Sequence, residues 1–193
     1  MDEIYHNLSK KIFEYLNKLD NIEEDKNLYL HAIELTIHES VTNLIVLILA
    51  SFFGFPFESI IYMILFAFIR KYTGGYHAET YAKCMLLYIL FFLIFILIYV
   101  AIDNIYIGIL LVFIVSVLYI VKETPIQHVN NQLSIIERHK YRKISLVILG
   151  FYTSLGLILL ILHSKISVII YVVIIFDSLL MFFLKHSVNY VED

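Results

Sequence analysis

Long apolar runs leave this backbone few conformations to adopt. Residues 82–102 read AKCMLLYILFFLIFILIYVAI, and residues 166–185 read ISVIIYVVIIFDSLLMFFLK. In lipid every peptide N–H and C=O must bond within the protein, so only helices or closed barrels cross a bilayer. These runs are continuous rather than alternating, which points to helices and against barrel strands. Composition agrees. Apolar residues make up 61% of the chain and charged residues 16%, against about 25% charged in a soluble domain. The mean hydropathy is +0.84.

The pattern predicts an all-α polytopic membrane protein with about six transmembrane helices behind an N-terminal amphipathic helix. A crossing takes roughly 20 apolar residues. The candidate segments cover 35–54, 56–70, 82–102, 105–121, 144–162 and 166–185, with the second one short. A polar stretch occupies 122–143. In residues 3–20, Ile4, Leu8, Ile12, Leu16 and Leu19 recur at helical spacing, while Lys10, Lys11, Glu14, Lys18 and Asp20 fall largely elsewhere on the wheel. A helix of that kind lies in the membrane interface; the alternative is a helix packed on the rest of the protein. The domain division is therefore 1–24 for the interfacial helix and 25–193 for a helical transmembrane domain. No cleavable signal peptide is expected, because the charged N-terminus lacks an apolar core followed by small residues.

Orientation follows from the basic residues. With the N-terminus in the cytoplasm, thirteen of the fourteen Lys and Arg residues lie inside, and Lys165 alone lies outside. Both termini, the 70–84 loop and the 122–143 stretch then face the cytoplasm. The net charge of −3 is unremarkable, and no nucleic-acid partner is expected.

The polar break at 70–84, RKYTGGYHAETYAKC, holds two of the six glycines and the single cysteine. One cysteine excludes an internal disulfide and a site built on several thiolates. Cys84 is either a packed apolar residue or a nucleophile served by His77, since the thiolate is the reactive form. On an unbroken helix the seven-residue spacing would put the two about 10 Å apart along the axis. Proton transfer needs about 3 Å, or one water. A reactive pair therefore requires the chain to fold back, and Gly74 and Gly75 permit a bend because glycine accepts positive φ.

The stretch resembles the signature of the accessory gene regulator B (AgrB) family: an Arg, then Gly-Gly-x-His, then Cys seven residues beyond the His. Arg70, Gly74, Gly75, His77 and Cys84 match it, and chain length, helical layout and a basic stretch containing Pro125 extend the likeness. The resemblance implies a bacterial cell-membrane cysteine endopeptidase of quorum sensing, with its active site on the cytoplasmic side. Such an enzyme cleaves an autoinducer precursor peptide through a thioester on the cysteine and promotes thiolactone or lactone closure. It implies Cys84 as nucleophile, His77 as general base and acid, and self-association as a homodimer. No cofactor and no metal are expected. His128 and His139, taken with His77 and Cys84, lack ligand spacing.

Other polar residues leave alternatives open. Glu79 either orients the imidazole or is a solvated loop charge. Arg138 and Lys140, within ERHKYRK at 137–143, either serve topology and anionic lipid or dock the precursor. Glu34 and His38, four apart on one helix face, line the active-site cleft or reach the interface. Asp177 is either hydrogen-bonded between helices or lines a cavity. Gly150 and Ser154 give a small-xxx-small spacing for close helix contact. The competing function is a small peptide or solute transporter without protease activity, which draws on Asp177 and the polar face of segment one. The absence of repeat symmetry and of paired broken helices counts against it.

Overall fold

Gly54 with Pro56, and then Gly74, mark two of the helix boundaries. The computed structural model describes residues 2–19, 26–74, 80–127 and 133–187. Its six helices are α1 (Asp2–Leu19), α2 (Lys26–Phe53), α3 (Pro56–Thr73), α4 (Tyr81–Glu123), α5 (Ile135–Ile161) and α6 (Ile166–Lys185). There is no strand among the described residues, only an isolated parallel bridge between Gly74 and Ile126. Pro56 opens α3 at its first turn, where the missing N–H costs nothing. Ser134 opens α5: its hydroxyl accepts from the Glu137 amide, and the Glu137 carboxylate accepts from the Ser134 amide. These reciprocal bonds satisfy two otherwise unpaired groups.

Among the described residues, four stretches are long and apolar enough to cross a membrane: Lys26–Phe53, Tyr81–Ile102, Ile135–Ile161 and Ile166–Lys185. Six crossings are not what the helices deliver. Segment two lies within α3, which carries Glu58, Arg70 and Lys71 in its eighteen residues. Segments three and four are one 43-residue helix, about 64 Å long at 1.5 Å per residue, roughly twice a bilayer core. Nothing at 102–105 forces the expected turn. Ile102, Asp103, Asn104 and Ile105 include neither glycine nor proline, and Asp and Asn reduce helix propensity by only about 0.7 kcal/mol each. Segment one also begins earlier than expected, at Lys26.

The chain forms two compact units. The first is Met1–Gly54 with Ala78–Leu90. Here α1 packs along α2 through Tyr5, Ser9 and Phe13, which are buried, while Leu8, Tyr15 and Leu16 stay exposed. The packed stripe is thus one position round from the apolar stripe that the sequence suggests, because Tyr5 and Phe13 supply the larger surfaces.

The second unit is Phe55–His77 with Phe91–Asp193. Its axis is α6, buried almost continuously from Ser167 to Ser178 and packed against both α3 and α5. A helix apolar on all sides belongs in such a place. Around it, Tyr62 stacks on Phe95 at 4.6 Å and lies near Phe66, Phe92 and Phe176. The close approach of α5 to α6 falls at Gly156, whose carbonyl accepts from the Tyr171 hydroxyl at 3.0 Å. Gly150 and Ser154, the pair expected there, are exposed, and Gly150 has open space beyond its Cα.

Two glycines adopt positive φ for different reasons. Gly54, in the turn from α2 to α3, has φ 81° and room around it. Gly74, at the end of α3, has φ 76°, and a Cβ there would lie 2.1 Å from the Ile126 carbonyl oxygen. Gly54→Ala is expected to lose about 1–2 kcal/mol from backbone strain alone. Gly74→Ala is expected to lose clearly more, because backbone must also move. Thermal unfolding of the two variants in one detergent checks the order; equal melting temperatures would refute it.

Candidate functional site

The polar residues of interest gather in two places, one in each unit. In the second unit they collect at the C-terminal end of α3. The Gly74 amide donates to the Arg70 carbonyl at 3.3 Å, and Arg70 Nη1 donates to the Gly74 carbonyl at 2.7 Å. Arg70 thus closes its own helix end with backbone and side chain, at the terminus where a cation is electrostatically favoured. Thr73 gives its carbonyl to the Ile126 amide at 2.9 Å. Its hydroxyl lies 3.0 Å from Asp177 Oδ1, 3.1 Å from the Ile69 carbonyl and 3.5 Å from the Gly74 carbonyl.

Asp177 is fully buried, and Arg70 stands in coulombic reach of it. Of the two sequence alternatives for Asp177, the structure gives a hydrogen bond between helices. Its Oδ2 has no hydrogen-bond partner among the described residues. On the far side of Ile126, Thr124 and Ser145 share a hydrogen bond of 3.0 Å. Arg142 donates to the carbonyls of Thr124 and Val121, at 2.7 and 3.3 Å, closing the end of α4. The Thr124–Pro125 peptide is cis.

In the first unit the site forms where α4 begins. Thr80 caps the helix: its hydroxyl oxygen accepts from the Lys83 amide at 3.3 Å. The Cys84 amide makes the first helical bond, to the Thr80 carbonyl at 3.0 Å. Cys84 is therefore in the opening turns of α4 and is partly exposed. A helix N-terminus favours negative charge close to its first turn.

One turn earlier, the Tyr81 hydroxyl donates to Glu34 Oε2 at 3.3 Å. The other carboxylate oxygen, Oε1, is 2.6 Å from His6 Nδ1 and 3.3 Å from the Ser9 hydroxyl. His38 is buried and lies against the Tyr81 ring, with centroids 5.1 Å apart, and against Tyr5 at 5.7 Å. Glu34 and His38 do share one helix face, and that face gathers α1, α2 and the start of α4.

Gly75, His77 and Glu79 lie outside the described residues, and so does His128. His77 falls in sequence between the end of α3 and the start of α4. Arg138 and Lys140 sit on the first turns of α5 rather than in a loop; Lys140 is exposed. Among the described residues no three His, Cys, Asp or Glu side chains cluster as metal ligands.

Sequence reasoning missed Thr73, Thr80 and Tyr81. A Thr immediately before a helical run is a capping signal that identifies Thr80. Nothing local marks the other two, whose partners are 104 and 47 residues away.

The sequence matches the accessory gene regulator B family over residues 9–184. The chain belongs to the AgrB family. This makes it a quorum-sensing accessory protein, and its apolar helices are those of a membrane protein. No curated protein and no solved structure matches it.

The three bonds on Glu34 hold α1 to α2 and α4. Removing a charged partner from such a group costs about 1.5–3 kcal/mol. Glu34→Ala is expected to loosen α1, so that trypsin cuts at Lys10, Lys11 and Lys18 several-fold faster in micelles, with helix content unchanged. Unaltered cleavage would show that Tyr5 and Phe13 alone hold α1.

Proposed function

We propose that this AgrB protein is a membrane cysteine endopeptidase that processes an autoinducer precursor peptide. The observation carrying the proposal is that three residues of the family's pattern, Arg70, Gly74 and Cys84, lie at the end of one helix and the start of the next. Arg70 and Gly74 close α3. Cys84 occupies the opening turns of an N-capped α4. His77 lies between them in the chain.

In the reaction, His77 accepts the Cys84 thiol proton, and the thiolate attacks the scissile carbonyl of the precursor. The tetrahedral intermediate collapses with loss of the C-terminal fragment, whose new amine takes the proton from His77. The acyl group remains on Cys84 as a thioester, which conserves its activation. A Cys or Ser side chain within the bound peptide then attacks the thioester carbonyl. That closes a thiolactone or lactone and returns the Cys84 thiol. Water must be excluded until the ring closes. Glu79 holds the imidazole, and the peptide N–H groups at Gly75 or at the start of α4 stabilise the oxyanion.

Placement follows the charge asymmetry: both termini and the catalytic residues on the cytoplasmic side, with the protein multi-pass in the bacterial cell membrane. The exposed Leu8, Tyr15 and Leu16 of α1 rest in the interface, supported by Lys10, Lys11 and Lys18. Arg138 and Lys140 face anionic lipid and the approaching precursor. The protein works as a homodimer. A transporter is less well supported, because its two polar features are engaged within the fold. Asp177 is bonded to Thr73, and Glu34 to His6, Ser9 and Tyr81.

Purified protein mixed with its cognate precursor is expected to carry an acyl adduct on Cys84, visible by intact-mass spectrometry and removed by hydroxylamine. Cys84→Ala and His77→Ala are expected to lower cleavage by at least about a thousandfold, as for other members of a nucleophile–base pair. Undiminished cleavage by folded Cys84→Ala protein would sink the proposal.

A further inference from the structure

Cys84 stands one turn into α4, so whatever seats that turn also seats its sulfur. Two bonds shape the turn itself. The Lys83 amide donates to the Thr80 hydroxyl oxygen at 3.3 Å, and the Cys84 amide to the Thr80 carbonyl at 3.0 Å. Both lie within α4 and its cap, so neither fixes where the turn sits against other helices.

Tyr81 supplies that. It precedes Cys84 by three residues, a neighbouring position on the helix surface about 4.5 Å away along the axis. Its hydroxyl donates to Glu34 Oε2 at 3.3 Å. Its ring meets Tyr5 edge-on, with centroids 5.5 Å apart, and lies against His38 at 5.1 Å. Tyr5 and His38 are themselves 5.7 Å apart, and both are buried. The three rings close a triangle at separations where aromatic pairs attract. A ring held on two sides and tethered at its hydroxyl has little freedom to shift.

The seat draws on two helices. Glu34 and His38 come from α2, and Tyr5 from α1. His6 and Ser9 of α1 occupy Glu34 Oε1, which leaves Oε2 for Tyr81. One carboxylate therefore carries α1 on one oxygen and α4 on the other. Apolar packing alone would hold the Tyr81 ring; the shared carboxylate adds direction, because a hydrogen bond has a preferred geometry.

We propose that Tyr81 is a positioning residue for Cys84, and that α1 completes the seat that holds it. The inference deepens the peptidase proposal and rests on its assignment of Cys84 as the nucleophile. Every residue it invokes lies in one compact unit.

The test follows acylation of Cys84 by the cognate precursor in a single turnover, with full-length protein in detergent and intact-mass detection. Two quantities are read: the rate constant at saturating precursor, and the fraction of protein that acylates. Tyr81→Phe keeps the ring and loses the tether. Glu34→Ala removes the acceptor, while Glu34→Gln retains one. Misplacement of a reacting group by about 1 Å costs up to about a hundredfold. Tyr81→Phe, Glu34→Ala and, in α1, Tyr5→Ala are each expected to lower the rate constant about tenfold, with the reacting fraction unchanged. Glu34→Gln is expected to stay within about twofold of the parent. Glu34→Ala combined with Tyr81→Phe is expected to be no slower than the slower single variant, because both remove one bond.

A merely structural role lowers the reacting fraction instead, since unfolded molecules do not react and folded ones keep the parent rate. That result, a parent-like rate constant for Tyr81→Phe, additive losses in the double variant, or no rescue by Glu34→Gln would each overturn the inference. A parent-like rate constant for Tyr5→Ala would remove α1 from it. If the parent protein forms no adduct on Cys84, the peptidase proposal fails and takes this one with it. An adduct in the parent with an undiminished rate in Tyr81→Phe defeats this inference alone.

Discussion

The close passage of the Ile126 backbone over Gly74 fixes where α3 ends. A helix leaves its last carbonyls unpaired, and in an apolar setting each must find a partner within the protein. Here the Ile126 amide takes the Thr73 carbonyl, and the Arg70 side chain takes that of Gly74. The space for Ile126 exists only because residue 74 has no Cβ. The segment that brings Ile126 into place is itself tied down. Arg142 holds the carbonyls of Thr124 and Val121, the Thr124 hydroxyl meets Ser145, and Lys185 pairs with Glu123 at 2.5 Å. The ends of α3, α4 and α6 and the start of α5 are thus joined by polar contacts at one end of the second unit.

The residues of the Arg-Gly-Gly-x-His-Cys pattern therefore answer to different physical demands. Gly74 is required by backbone geometry, and Arg70 by the need to close a helix end. Cys84 gains from the N-capped start of α4. A substitution at Gly74 damages the fold first, whereas one at Cys84 leaves the helix intact and, on the proposed mechanism, removes the nucleophile. Loss of activity alone does not separate these cases; stability measured beside reactivity does.

Much of this was legible in the sequence. Continuous apolar runs indicated helices, and the segment expected at 56–70 located α3, which runs three residues further, to Thr73. The motif carried the family. What failed had both local and nonlocal causes. The expected turn at 102–105 rested on two polar residues, which a helix tolerates, so α4 continues through them. The α1 stripe was misjudged by one position because aromatic bulk at Tyr5 and Phe13 outweighs the aliphatic periodicity. Gly150 and Ser154 had the right spacing for helix contact, yet Gly156 makes it, opposite Tyr171. For Asp177 the alternative of a hydrogen bond between helices was right, but its partner, Thr73, is 104 residues away in the chain, a distance no periodicity spans.

The two polar clusters also differ in what their carboxylates can do. Glu34 is saturated: His6, Ser9 and Tyr81 occupy both its oxygens. It therefore acts as a structural tie. Asp177 holds Thr73 with one oxygen, while the other has no partner among the described residues. An apolar side chain of similar volume would pack α6 more cheaply than a half-satisfied acid. A carboxyl that contributes little to packing is better explained by what it holds in place. It grips the last turn of α3 through the Thr73 hydroxyl.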